Sequence, residues 1–185
     1  MLIYNKNNFL YCFIHIPSTA GKTIRNNIKK ESHIIKEYIG CKDKFDYSHI
    51  SYALRNKFCN FNKVLYHTYV RNPYQRIISS YFYKNPNNSI VDFRIFIKRV
   101  LRYMDLSQYN LYLIYYYPCY FFIYETINKL PEDIIIEKIE DHKDIKINQY
   151  NLTTYYDQEC ISIINNIYDK DFELFNYEKK VFVYF

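Results

Sequence analysis

Glycine is almost missing from this chain: Gly21 and Gly40 are the only two in 185 residues. Any motif built on two or three closely spaced glycines is thereby excluded, including the GxGxxG dinucleotide fingerprint and the complete Walker A loop. Five cysteines, Cys12, Cys41, Cys59, Cys119 and Cys160, form no CxxC pair. Their scatter fits neither a zinc site nor a disulfide-dense secreted module, so they read as reduced, mostly buried thiols and no metal is expected. Long apolar runs are missing too. The N-terminal one is ended by Pro17, too short for a membrane span and without a small-residue cleavage site. These absences read as a soluble, cytoplasmic protein with no membrane span.

Aromatic residues are abundant instead, at 21% of the chain, carried by 24 Tyr and 14 Phe. Disordered chains are poor in such residues, so most of the length is expected to fold. With 49% hydrophobic residues, the chain has the size and apolar content of a single domain spanning residues 1–185. The wealth of Asn, Ile, Lys and Tyr beside scarce Gly and Pro has the look of an AT-rich genome, as in a large virus or a low-GC microbe. The formal charge of +6 suits an anionic partner without naming one.

Periodicity supplies the organisation. Residues Phe9 to Ile16 form an apolar and aromatic run expected of a strand buried in a parallel sheet, and Pro17 ends it. Ile24 and Ile28 then stand four apart, which predicts a helix over 23–30. The pattern repeats: Val64 to Val70 reads as a strand, Asn72 and Pro73 break it, and Tyr74 to Phe82 reads as a helix. Ser89 is placed to cap a further helix with Phe93, Ile97 and Val100 on one face. Cys119 to Tyr124 reads as a strand, Pro131 to Ile139 as a helix, Lys143 to Thr154 as a loop, and Tyr156 to Tyr168 as a last helix. Repeated strand-turn-helix units predict an α/β fold.

Two turns carry the chemistry. In His15-Ile16-Pro17-Ser18-Thr19-Ala20-Gly21-Lys22-Thr23, a strand stops and feeds a helix, whose free amides and dipole converge on one point suited to an anion. Gly21 permits close backbone approach, Thr19 and Thr23 offer hydroxyls, and Lys22 adds a charge. A bare capped turn explains the same residues equally well. In Val70-Arg71-Asn72-Pro73-Tyr74-Gln75-Arg76-Ile77-Ile78-Ser79, Arg71 lies just past a strand and Ser79 two turns into the next helix, both in reach of a strand-end ligand. Arg grips phosphate through paired hydrogen bonds. The plain alternative makes Arg71 and Ser79 surface groups.

Taken together, the two segments resemble the 5′-phosphosulfate loop and the 3′-phosphate motif of sulfotransferases that use 3′-phosphoadenosine 5′-phosphosulfate (PAPS), most of all the Golgi-type carbohydrate sulfotransferases. Tyr47-Ser48-His49-Ile50, Phe122-Ile123-Tyr124-Glu125 and the stretch from Tyr168 to Tyr177 resemble further family segments. The resemblance implies a three-layer α/β/α domain with a central parallel sheet, the P-loop NTPase-like sulfotransferase fold. It implies PAPS as donor without a metal, 3′,5′-bisphosphoadenosine (PAP) as product, and a glycan or other hydroxyl as acceptor. On it, Pro17, Ser18, Thr19, Ala20, Gly21, Lys22 and Thr23 cradle the 5′-phosphosulfate, while Arg71 and Ser79 hold the 3′-phosphate. The chain departs from the family pattern at Ser18, where most members carry a lysine, and Lys22 is the loop's substitute cation. His49 falls where relatives place a catalytic base, a task suited to an imidazole; Glu125 either orients the site or pairs with a basic residue, and the structural role is the favoured one. A P-loop-like kinase, lacking here an acidic magnesium ligand at a strand end, and a catalytically silent nucleotide-binding relative remain the alternatives. Dispersed basic residues argue against a nucleic-acid partner.

Overall fold

The computed structural model describes residues 1–42, 45–58, 61, 63–124 and 130–181. In chain order its elements are strands β1 (Leu2–Lys6) and β2 (Phe9–Phe13), helix α1 (Gly21–Glu31), strands β3 (His33–Glu37), β4 (Cys41–Lys42) and β5 (Phe45–Asp46), helix α2 (Arg55–Phe58) and strand β6 (Val64–Val70). Helices α3 (Pro73–Lys84), α4 (Ile90–Arg99) and α5 (Cys119–Ile123), strand β7 (Ile134–Lys138), and helices α6 (Leu152–Tyr155), α7 (Gln158–Ile167) and α8 (Asp169–Leu174) follow. They belong to two compact units, Met1–Val70 with Cys119–Ile147, and Arg71–Pro118 with Asn148–Phe185. No helix among the described residues is long and apolar enough to cross a membrane.

The first unit is α/β. Its five-stranded sheet runs β3-β1-β2-β6-β7. Strands β2, β6 and β7 are parallel, whereas β1 pairs antiparallel with both β2 and β3. The sheet is therefore mixed, not parallel as expected from the sequence, because residues 2–13 form a hairpin. Asn7 and Asn8, at φ 51° and 67°, make its two-residue turn, with Lys6 opposite Phe9. Both central positions of such a turn need left-handed backbone, which asparagine tolerates better than most residues.

Strand β6 alternates: Val64, Tyr66, Thr68 and Val70 are buried, while Leu65, His67 and Tyr69 face the more open side. Helix α1 lies on the side of Tyr69, its Ile24 and Ile28 packed with Leu2, Tyr4, Phe13 and Ile34. Full burial of a side chain such as Ile24 stabilises by roughly 1.5–3 kcal/mol. On the other side the Tyr52 ring sits 4.8 Å from Tyr66, and the Tyr52 hydroxyl donates to Asp133 at 2.5 Å.

Two sequence expectations are exchanged in this unit. Cys119 to Tyr124, read as a strand, is helix α5, and the expected helix over Pro131 to Ile139 contains strand β7. Short apolar runs carry no decisive period, and three consecutive isoleucines suit a strand that pairs in parallel with β6.

The second unit is helical. Tyr74, Ile77 and Ile78 of α3, Phe93 and Ile97 of α4, Ile161 and Ile164 of α7, and Phe172 of α8 share one core. Ser89 and Asp92 form a capping box for α4, and Asp157 caps α7 through the Cys160 amide. Val100, expected on the inner face of α4, is instead 42% exposed as the C-cap residue. The many buried tyrosines are tolerable because their hydroxyls find carbonyls: Tyr156 donates to Tyr74 at 2.7 Å, Tyr117 to Gln108 at 2.6 Å, and Tyr168 to Tyr116. Arg76, fully buried, donates to the carbonyls of Tyr115 and Tyr117.

Candidate anion-binding loop and its surroundings

Beyond β2 the chain stays beside β6 for one more residue: the Ile14 amide donates to the His67 carbonyl at 2.9 Å, and Thr68 Oγ1 donates to the Ile14 carbonyl at 2.8 Å. It then crosses to α1 through Pro17 to Ala20. Ser18 and Ala20 both adopt left-handed backbone, at φ 63° and 56°. For non-glycine residues that conformation costs roughly 1–2 kcal/mol each, so it persists only where the surroundings impose it. The Ala20 carbonyl accepts from Thr23 and Ile24 at 2.9 and 3.2 Å, starting the helix.

The N-terminus of α1 is bare. Ala20 supplies no side-chain cap, and the first turn holds no acidic residue. The amides of Gly21 and Lys22 make no hydrogen bond to any described residue. Lys22 and Thr23 are exposed, and Lys22 has no carboxylate partner among the described residues. Unpaired amides, a dipole's positive end and an uncompensated ammonium together favour an anion. Thr19, expected to offer its hydroxyl there, is buried and donates to the Ile16 carbonyl at 2.9 Å.

Behind the loop stands His15. A Cβ on Gly21 would come within 1.8 Å of His15 Cδ2, so the glycine is required by the imidazole behind it, beyond any approach of a ligand in front. His49 reaches the same place: its Nδ1 donates to the His15 carbonyl at 2.8 Å, and the two rings lie 4.5 Å apart. The structure thus brings His49 against His15, the residue that backs Gly21 of the loop, within one unit. Burial pushes His49 down to about 4, against the pull of its bond to His15, and drives His15 well below the ordinary histidine range. Both are neutral at pH 7, and the bond from Nδ1 fixes the tautomer of His49 with Nε2 as the basic nitrogen. Arg25 of α1 completes the backing, donating to Glu37 of β3 at 2.8 Å and reaching His15 Nδ1 at 3.5 Å.

Arg71 and Ser79 belong to the second unit. Arg71 is 3% exposed and one of its Nη groups donates to the Asn148 carbonyl. Asn72 caps α3 conventionally, its side chain accepting from Tyr74 and Gln75 at 3.1 and 3.4 Å, with Pro73 at the first helical position. Ser79 is half-buried on α3.

Glu125 and Cys59 lie outside the described residues. Sequence reasoning missed the part of His15, which no spacing announces because its partner is the empty side of a glycine six positions on. Among the described residues no cluster of three or more His, Cys, Asp or Glu could hold a metal. Compared with known proteins, the chain matches no family model, no curated protein and no solved structure.

Proposed function

We propose that this chain is a sulfotransferase of P-loop-like α/β fold that moves the sulfuryl group of PAPS to an acceptor hydroxyl on a carbohydrate. The observation that carries the reading is the uncapped start of α1, with two left-handed residues before it and Lys22 at its edge. Pro17 to Thr23 take the 5′-phosphosulfate, and Arg71 and Ser79 take the 3′-phosphate. The acceptor oxygen attacks sulfur, the bond from sulfur to the bridging oxygen breaks, and its electron pair leaves on the nucleotide phosphate. The acceptor proton passes to His49 Nε2. Lys22 stands in for the lysine absent at Ser18 and neutralises the charge that builds on the bridging oxygen.

The test is thermal stabilisation by PAP against AMP and ATP. Ligand at 100 times its dissociation constant stabilises by about 2.7 kcal/mol, so PAP raises the melting temperature clearly and AMP does so far less. Arg71→Ala abolishes the preference. Equal shifts with PAP and AMP defeat the assignment of Arg71 and Ser79. A PAP preference without sulfuryl transfer to any of a glycan panel identifies a silent nucleotide-binding relative instead.

A further inference from the structure

A cavity of about 230 Å³ opens on the side of the sheet that carries α1, lined by α1, strands β1 and β6, and the segment after β7, all within the first unit. At about 30 Å³ per liquid water, that is the volume of roughly eight waters, room for one small ring. Its strand residues are Tyr4, Lys6, His67 and Tyr69. The Tyr4 hydroxyl meets His67 Nε2 at 2.9 Å, and burial, with help from Lys6, pushes the imidazole down to about 4, leaving it neutral at pH 7. Tyr69 hydrogen-bonds Glu137, which also meets His142 Nε2 at 3.0 Å.

The charged groups at the two ends of the cavity already have partners. Lys6 pairs with Glu31 at 2.8 Å, and Glu137 is held by Tyr69 and His142. Four polar groups on the lining make no hydrogen bond to any described residue: His67 Nδ1, the Asn27 carboxamide, the Asp144 carboxylate and the buried Ser32 hydroxyl. A phosphate or sulfate gains nothing here, because the one unmatched charge is negative. An organic cation would find a partner only in Asp144, which is exposed, where water screens the attraction. A ligand with apolar faces and a rim of hydroxyls fits both the aromatic walls and a donor-and-acceptor set that carries little net charge.

We propose that this cavity binds one pyranose ring of a neutral saccharide, with Tyr4 and Tyr69 against its C–H faces and Asn27, Asp144 and His67 on its hydroxyls. It shares no residue with Pro17 to Thr23, Arg71 or Ser79, so the proposal stands or falls apart from the donor reading. The site would hold a sugar unit independently of the reacting hydroxyl.

Ligand-observed NMR titrations of the full chain with a panel of methyl pyranosides test it, with tetramethylammonium and sodium sulfate as comparison probes. At least one pyranoside binds saturably in the millimolar range expected of a single small ring. Asn27→Ala and Asp144→Asn each weaken it by about tenfold, the loss of one well-made polar contact, while the melting temperature holds. Lys22→Ala leaves sugar binding unchanged. Should Asn27→Ala fail to fold, Asp144→Asn at the exposed rim still gives the answer. The proposal is overturned if no pyranoside binds at about 100 mM, a hundredfold above a millimolar Kd, if binding survives both substitutions, or if tetramethylammonium binds and the pyranosides do not. PAP stabilisation measured on the same samples reports on the donor reading separately.

Discussion

Helices α1 and α3 follow the same kind of apolar strand, yet their first turns are finished in opposite ways. At α3, Asn72 folds its own side chain over the Tyr74 and Gln75 amides, and Pro73 removes a third donor that would need a partner. At α1, Ala20 caps nothing, the preceding loop bends through left-handed residues, and an imidazole fills the room where the Gly21 side chain would be. One start is closed by the protein and the other is left for something else to close. A turn's location after a strand does not make it an anion site; what matters is whether its amides are already spent.

Four substitutions and one change of pH press on this contrast. The largest effect belongs to Gly21→Ala, whose new methyl group overlaps the His15 ring. Overpacking of this severity destabilises by about 3 kcal/mol or more, read as a fall in the denaturation midpoint. Combining it with His15→Ala returns a large part of that loss in a double-mutant cycle. A Gly21→Ala protein of unchanged stability would show that the loop is not pinned from behind.

Acid comes next. All five histidines lie in the first unit. Burial holds His49 and His67 at about 4 and His15 well below the ordinary histidine range. In the unfolded chain the same rings titrate near 6.5, so between about pH 6.5 and 4 the unfolded state binds more protons and the first unit loses stability as pH falls, by a few kcal/mol in all. The second unit leans on carboxylates instead. Although burial opposes it, hydrogen bonds from Lys98 and the Cys160 amide bring Asp157 down to about 2, so its contribution is lost only below about pH 4. Segment-resolved hydrogen exchange at pH 7 and 5 should show protection falling in residues 1–42 and 64–70 before α3, α4 and α7. Simultaneous loss would erase the distinction.

The smallest effects separate the two caps directly. Asn72→Ala costs about 1 kcal/mol, the usual worth of an N-cap. Ala20→Gly does the reverse, raising stability by about 0.5 kcal/mol, since relief of left-handed strain outweighs the added freedom of the unfolded chain. Chemical denaturation of both variants measures the pair, and a destabilising Ala20→Gly would mean that the methyl group packs for more than its backbone strain.

What the sequence shows in advance follows from how local each signal is. Helices α1, α3, α4 and α7 are legible because spacing and caps act within a few residues: Phe93 and Ile97 are inward as their separation predicts, and Ser89 caps as placed. The hairpin was hidden because its turn is Asn7-Asn8, not the glycine-bearing pair that usually marks one, so residues 2–6 joined no element. CYFFI and the isoleucine run after Pro131 exchanged their identities because only their partners, helix packing for one and β6 for the other, decide them. At the candidate site, the strand-to-helix turn before α1 was legible from residue order, while His49 was named only through the family resemblance. The roles of His15, His67 and Asp144 were not, since each depends on a neighbour far away in sequence.

The pairing of Tyr66 with Ile134 has a kinetic meaning. The first unit is interrupted between Val70 and Cys119, and the interrupting stretch contains α3 and α4. Strand β7 must therefore wait for the ribosome to deliver it, and its docking closes a long loop whose entropy cost grows with the logarithm of its free length. Early formation of α3 and α4, local structures that close within microseconds, shortens that free length before β7 arrives. Their capping residues thus bear on how fast a sheet that contains none of them is completed. A weakened Ser89 cap should slow refolding of the sheet while leaving its rate of unfolding nearly untouched.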